Sequence, residues 1–248
     1  MMVMVSNQTG AKFDALADHY YPWGLIGHLY SPDGLRLPQR RYPYSIDNWA
    51  YSAWVRGVPW SPDRYMRFCD RVAEFGQPPL WAVVPDVVAD RAATIESWRQ
   101  WAVWLRRRYG WRLAFAAQDG MTPQDVPGNA SMVFLGGSMA WKLKTLEMWA
   151  DYGSNLHVAR VNRPALLWRC WEIGVGSVDG TGWWHMESGQ YQGLCEYLAV
   201  VAGETPRRRS RSLFDEPQGN QYVQRGLPAA QRGPEPAQLV ISDAKGGE

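Results

Sequence analysis

Cysteine is scarce in this chain of 248 residues: Cys69, Cys170 and Cys195 are odd in number, far apart, and never in a C-x-x-C or C-x-C spacing. The four histidines, His19, His28, His157 and His185, show no ligand spacing either. A structural zinc is therefore not expected, and no cofactor is implied. No run of about 18 apolar residues is present to cross a membrane. With no signal-peptide pattern, the expectation is a soluble, cytoplasmic protein without a membrane partner. Charge of one sign is lacking too. The formal net charge of +2 is too small to declare a nucleic-acid partner by itself. No internal repeat is visible.

What the chain does have is apolar and aromatic mass. A hydrophobic fraction of 46%, with 15 Trp and 12 Tyr, supports a substantial core, because a chain this long buries most of its apolar surface. Length suits one α/β barrel, or one large domain plus a tail. Arginines cluster at Arg106–Arg108 and at Arg207, Arg208, Arg209 and Arg211. Such clusters either neutralise phosphates or sit on solvated helix ends.

From about residue 24 to 200, strand-like and helix-like patterns alternate, which argues for a parallel sheet. Leu80–Pro85 is a continuous apolar run, as a strand buried on both faces should be. Asp90–Tyr109 has helical spacing, with Asp90 the natural N-cap. Leu113–Ala117 and Met132–Leu135 read as strands, and Met139–Tyr152 as a helix ended by Gly153. Leu156–Arg160 and Gly174–Val178 are further strands, with helices at Pro164–Ile173 and Gly189–Gly203. Residues 1–22 give no firm element. Residues 204–248, rich in Pro, Gly, Gln, Arg and Glu, read as a disordered tail after a domain spanning 1–203.

Seven apolar runs end on polar or glycine-rich tips, and a missing eighth strand is expected before residue 24. The tips are Gly24–His28, Tyr44–Asn48, Val83–Asp86, Phe115–Gly120, Val133–Ser138, His157–Asn162 and Gly176–Thr181. In a barrel of alternating strands and helices, such tips gather on the face that carries the chemistry.

Two carboxylates there, Asp47 and Asp179, suffice for substitution at an anomeric carbon: one attacks and the other manages protons. Alternatively, Asp47-Asn48 and Asp179-Gly180 are simply turn pairs. Asp86 and Gln118 could read a guanine edge, the carboxylate meeting the N1 and N2 donors and the amide meeting O6. They could equally cap a helix and tie down a loop. Gly136 and Gly137 permit close backbone approach to a planar ligand, or make a tight turn. Arg160 and Asn162 suit a phosphate or ribose, or an internal ion pair. His157 reads as a packed polar residue. Lys142 reads as solvated, or as a phosphate contact.

Taken in order, the tips resemble a known family. Asp47-Asn48, Pro85-Asp86, Ala117-Gln118-Asp119-Gly120, Phe134–Lys142, Arg160-Val-Asn162 and Ser177–Thr181 are similar to motifs of the tRNA-guanine transglycosylase superfamily. The likeness is greatest to the short branch in phages and bacteria that puts 7-deazaguanine bases into DNA. It covers about residues 24–182. The resemblance implies a (β/α)8 TIM-like barrel and base exchange through a covalent enzyme–nucleic acid intermediate. It makes Asp179 the nucleophile on C1′, and Asp47 the general acid/base for the incoming base. Asp86 and Gln118 would recognise the purine beside the Gly136-Gly137 backbone, with Asn48 and Arg160 also on the substrate.

Two departures bear on the partner. The tRNA enzymes carry a zinc subdomain with a Cys-x-Cys-x-x-Cys motif, absent here, and they are much longer. Both favour DNA over tRNA, with Arg207, Arg208, Arg209 and Lys142 as candidate phosphate contacts and a 7-deazaguanine base as the small substrate. Asp119 also stands where the tRNA enzymes have a second small residue. Oligomeric state is left open.

Overall fold

A computed structural model describes residues 1–6, 10–33, 42–184 and 189–205. Eight parallel strands close into a barrel in chain order: β1 (Met2–Ser6), β2 (Ile26–Tyr30), β3 (Tyr44–Ile46), β4 (Ala82–Val83), β5 (Leu113–Ala117), β6 (Met132–Leu135), β7 (Leu156–Val158) and β8 (Ser177–Gly180). Closure comes from β1 pairing with β8, with Met4 opposite Asp179. The expected (β/α)8 TIM-like fold is therefore complete, and its eighth strand is the N-terminal Met2–Ser6.

Seven α-helices are described around it: α1 (Ala11–Tyr20), α2 (Ala50–Val55), α3 (Pro62–Glu74), α4 (Arg91–Tyr109), α5 (Met139–Thr145), α6 (Pro164–Glu172) and α7 (Gln190–Val201). Asp90 caps α4 as expected, accepting from the Ala93 N–H at 2.9 Å. α3 has a comparable start in Ser61-Pro62, the Ser61 hydroxyl accepting from the Arg64 N–H at 3.2 Å. Tyr65, Phe68, Cys69 and Val72 give its buried face. The helix expected over Met139–Tyr152 is shorter. It stays α-helical to Thr145 and tightens into 3-10 turns over Leu146–Asn155, where Gly153 leaves helical geometry at φ 50° and ψ −120°.

The period-two alternation of strands divides the core in two. Inside the barrel lie Met4, Leu29, Trp81, Val83, Ala114, Ala116 and Met132, with Phe134 packed against them. The larger apolar layer lies between strands and helices, with Ile26, Ile46, Phe115, Val133, Val158 and Val178 facing outward. β4 is only two residues long, since Pro85 brings no N–H to a ladder. β8 begins three residues later than the sequence suggests. The backbone of Ser154 lies 2.2 Å from where a Cβ on Gly176 would sit, so this approach admits only glycine.

Glu204 is tied to the barrel, accepting from the Tyr20 hydroxyl at 3.1 Å and lying 2.6 Å from His19 Nε2. The expected tail starts at residue 204; the rest of it, from residue 206 onward and including Arg207, Arg208 and Arg209, lies outside the described residues. Among the described residues, no helix is long and apolar enough to cross a membrane.

Candidate active site

The C-terminal ends of β3 to β8 bring Asp47, Asp86, Gln118, Gly136, Arg160 and Asp179 to one mouth. Asp179 is not a loop residue. It is the third residue of β8, two positions above Ser177, so both side chains point into the barrel.

Asp179 is 6% exposed and is held by three hydrogen-bond partners. Oδ1 lies 3.0 Å from His157 Nε2 and accepts from the Arg160 N–H at 3.1 Å, while Oδ2 accepts from the Ser6 hydroxyl at 3.1 Å. Burial alone would raise its pKa. The hydrogen bond and charge of His157, the Arg160 N–H and the Lys142 charge outweigh it and hold the carboxyl below its ordinary value. A carboxylate can only accept, so His157 Nε2 carries the hydrogen, and Nδ1 meets the Ser177 hydroxyl at 2.8 Å. The imidazole is fixed by Phe134, stacked at 5.0 Å, and Trp81, edge-on at 4.8 Å.

Ser177, His157 and Asp179 thus form a connected serine–histidine–aspartate series. Its order along the barrel argues against a serine nucleophile. Ser177 is in the lower layer, 5% exposed, and Asp179 stands above it toward the mouth. Of the three groups in this series, the carboxylate stands nearer the mouth than the hydroxyl.

Arg160 sits in left-handed backbone, φ 59°, and its N–H points at Asp179. Its Nη2 donates to the carbonyls of Gly136, at 3.0 Å, and Gly137, and its guanidinium lies 4.0 Å from the Tyr51 ring centroid. Gly137 is crowded: a Cβ there would meet the Trp141 ring at 2.3 Å and Asp119 Oδ1 at 2.6 Å, and φ is +33°. Asp119 accepts from the Ser138 N–H. Asp119 thereby braces the Gly136-Gly137 turn.

Across the mouth the environment reverses. Asp47 accepts from the Trp49 N–H at 3.2 Å. Its pKa is pushed up to about 7 by burial first and then by the charges of Asp86 and Asp179. Asp86 is pushed up to about 6 by burial, partly offset by its bond from Asn48. Asn48 Nδ2 donates to Asp86 Oδ1 at 2.7 Å and to the Val84 carbonyl at 2.8 Å, and its Oδ1 accepts from the Ala50 N–H at 2.8 Å. Both amide hydrogens are thus used. Gln118 Nε2 donates to Asp86 Oδ2, and Oε1 accepts from the Ala89 N–H at 2.6 Å. Asn48 and Gln118 hold Asp86 from two sides, leaving the Asp86 carboxylate as the group with acceptor capacity to spare.

Lys142 departs most from expectation. It is 1% exposed, and its Nζ donates to the carbonyl of Ala159. It is neither solvated nor on a phosphate-facing surface. Burial first, and then the Arg160 charge, lower its pKa to about 7.

Ser6, Ser177 and His157 were not legible as site residues. Strand parity could have found Ser177, two positions before Asp179. Ser6 lies in an element that the sequence pattern left unassigned.

No family model matches the chain, and no curated protein matches it. Among solved structures, one described as "Native KDPGal structure" is similar over 81% of this chain and 92% of that chain, at 10% sequence identity and a TM-score of 0.47. At that level neither fold nor activity is taken from it.

Proposed function

We propose that the protein is a guanine transglycosylase that exchanges guanine in DNA for a 7-deazaguanine, such as the 7-cyano form. One observation carries this reading: two aspartates share one barrel mouth, Asp179 held ionised and Asp47 poised to exchange a proton near neutrality. Paired carboxylates whose surroundings push their pKa values apart are suited to displacement at an anomeric carbon.

In this scheme an Asp179 oxygen forms a bond to C1′ as the C1′–N9 bond breaks, and the guanine leaves with the bonding pair. Asp47 supplies the proton that neutralises it. The incoming 7-deazaguanine then gives its N9 proton to Asp47 and attacks C1′, releasing Asp179 as a carboxylate. A group with a pKa near 7 suits both directions. Asp86, mostly ionised at neutral pH, accepts from the N1 and N2 donors of the purine, and an adenine would leave it poorly matched. In duplex DNA the target base must first leave the stack, at a cost of a few kcal/mol. Arg207, Arg208 and Arg209 are proposed to meet phosphates during that step.

The test is an exchange assay with guanine-containing duplex DNA, or tRNA, plus 7-cyano-7-deazaguanine, read as nucleosides by mass spectrometry. The expected product is the deazaguanine deoxynucleoside in DNA, absent with Asp179→Asn. Abasic sites without incorporation would make the protein a hydrolase. Incorporation into tRNA alone would move the substrate to RNA. No reaction on either polymer, with unchanged binding to both, would make the barrel a binding module.

A further inference from the structure

Lys142 is the buried charge that the scheme above does not use. The sequence around it inverts the usual polarity, because Lys142 is 1% exposed while the adjacent Leu143 is 48% exposed. A lysine turned inward and a leucine turned outward on the same short helix cost stability, which points to a role for the buried amine.

Its hydrogen bond supplies that role. The carbonyl that accepts from Lys142 Nζ belongs to Ala159, and the N–H of the same peptide unit, on Arg160, donates to Asp179 Oδ1 at 3.1 Å. One planar peptide therefore joins the amine to the carboxylate. A cation on the carbonyl side strengthens the N–H as a donor, because linked hydrogen bonds polarise one another. The same bond pins a peptide whose next residue is in left-handed backbone at φ 59°.

We propose that Lys142 is a positioning residue for Asp179, acting through the Ala159–Arg160 peptide to keep that carboxylate ionised and aimed at the mouth. The structural part stands on this geometry, while its consequence for turnover rests on the reading of Asp179 as the nucleophile. The charged groups around the pair are Arg160 and Asp119 at the mouth, His157 on β7, Asp47 after β3 and, facing Lys142 from α6, the thiol of Cys170. The lowered pKa of Lys142, about 7, makes the effect pH-dependent. The support is full while the amine is protonated and fades as pH rises through about 7.

The experiment is a carboxyl-carbon NMR titration of the full chain labelled with 13C-aspartate, with the Asp179 signal assigned by its loss in Asp179→Asn. In Lys142→Met the Asp179 midpoint should rise by about one pH unit or more, a roughly tenfold change in its protonation equilibrium. Lys142→Arg should restore it. An unchanged midpoint in folded Lys142→Met overturns the proposal. Should that variant not fold, the wild-type protein decides. The Asp179 signal should show a second inflection at the pH where the Lys142 side chain titrates, and its absence overturns the proposal equally. Neither readout uses turnover, so failure of the transglycosylase reading would leave this result standing, and the converse.

Discussion

The two sides of the barrel mouth treat the same residue type in opposite ways. Around β7 and β8, Asp179 receives three hydrogen bonds, from Ser6, His157 and the Arg160 backbone, and is held ionised in spite of burial. Around β3 and β4, Asp47 receives hydrogen bonds only from the Trp49 and Asn48 backbone and faces two other carboxylates, so burial and repulsion prevail. Residue identity therefore does not assign the proposed roles of nucleophile and proton carrier. The donors that each strand end supplies do.

The largest test of this contrast is removal of the anion. Asp179→Asn should lower exchange by on the order of 10⁴-fold or more, as loss of a nucleophile does in a site that works as a unit. An initial-rate comparison measures it, and retained exchange would end the assignment. Asp47→Asn should lower exchange by roughly 10²- to 10⁴-fold, the range for lost general acid–base catalysis. It should also erase one limb of the pH profile. Wild-type turnover that needs protonated Asp47 falls as pH rises through about 7, and that limb should vanish in the variant.

Stability should separate the two aspartates by sign. The folded pKa of Asp47 is raised from its ordinary value of 3.8 to about 7. The folded state therefore binds a proton that the unfolded state has released between those values, and stability falls as pH rises across that window. Asp47→Asn removes this cost and should stabilise the protein at pH 8 by on the order of 2 kcal/mol, a figure discounted for its partial exposure. The gain should shrink toward pH 4. For Asp179 the folded pKa is depressed, so its contribution is present above the ordinary carboxylate range and is lost as pH falls through the folded value. Asp179→Asn should destabilise at pH 8 by about 1–3 kcal/mol. Urea unfolding at the two pH values reads both signs, and equal signs would remove the contrast. The smallest effect is expected from Gln118→Leu. Asp86 then loses a donor, its pKa rises above about 6, and the KM for the incoming base should increase roughly tenfold, the weight of one hydrogen bond to a charged group.

Much of the architecture was legible because it is local. The Asp90 cap, the apolar run before Asp86 and the strand over Leu113–Ala117 are each written within a few residues. The first strand was not, since Met2–Ser6 ends on a single serine and gains its meaning only by pairing with both β2 and β8. α3 was legible in principle from Ser61-Pro62 and its buried stripe. The site divides along the same line. Asp47, Asp86, Gln118, Arg160 and Asp179 stand at strand ends, and the barrel brings them together. What tunes them arrives from distant chain: Ser6 is 173 residues from Asp179, and Lys142 reaches Ala159 from another element. No periodicity announces a lysine that faces inward beside a leucine that faces outward. That inversion is a tertiary fact, and it lies on the anionic side of the mouth.

The most direct test of the account is to trap the covalent intermediate. The protein would be incubated with guanine-containing DNA bearing a 2′-fluoro substituent at candidate target nucleotides, denatured, and mapped by peptide mass spectrometry. The account predicts a denaturation-stable protein–DNA adduct on Asp179, accompanied by released guanine and absent from Asp179→Asn. An adduct on another residue, or deazaguanine exchange proceeding with Asp179 replaced, would contradict it.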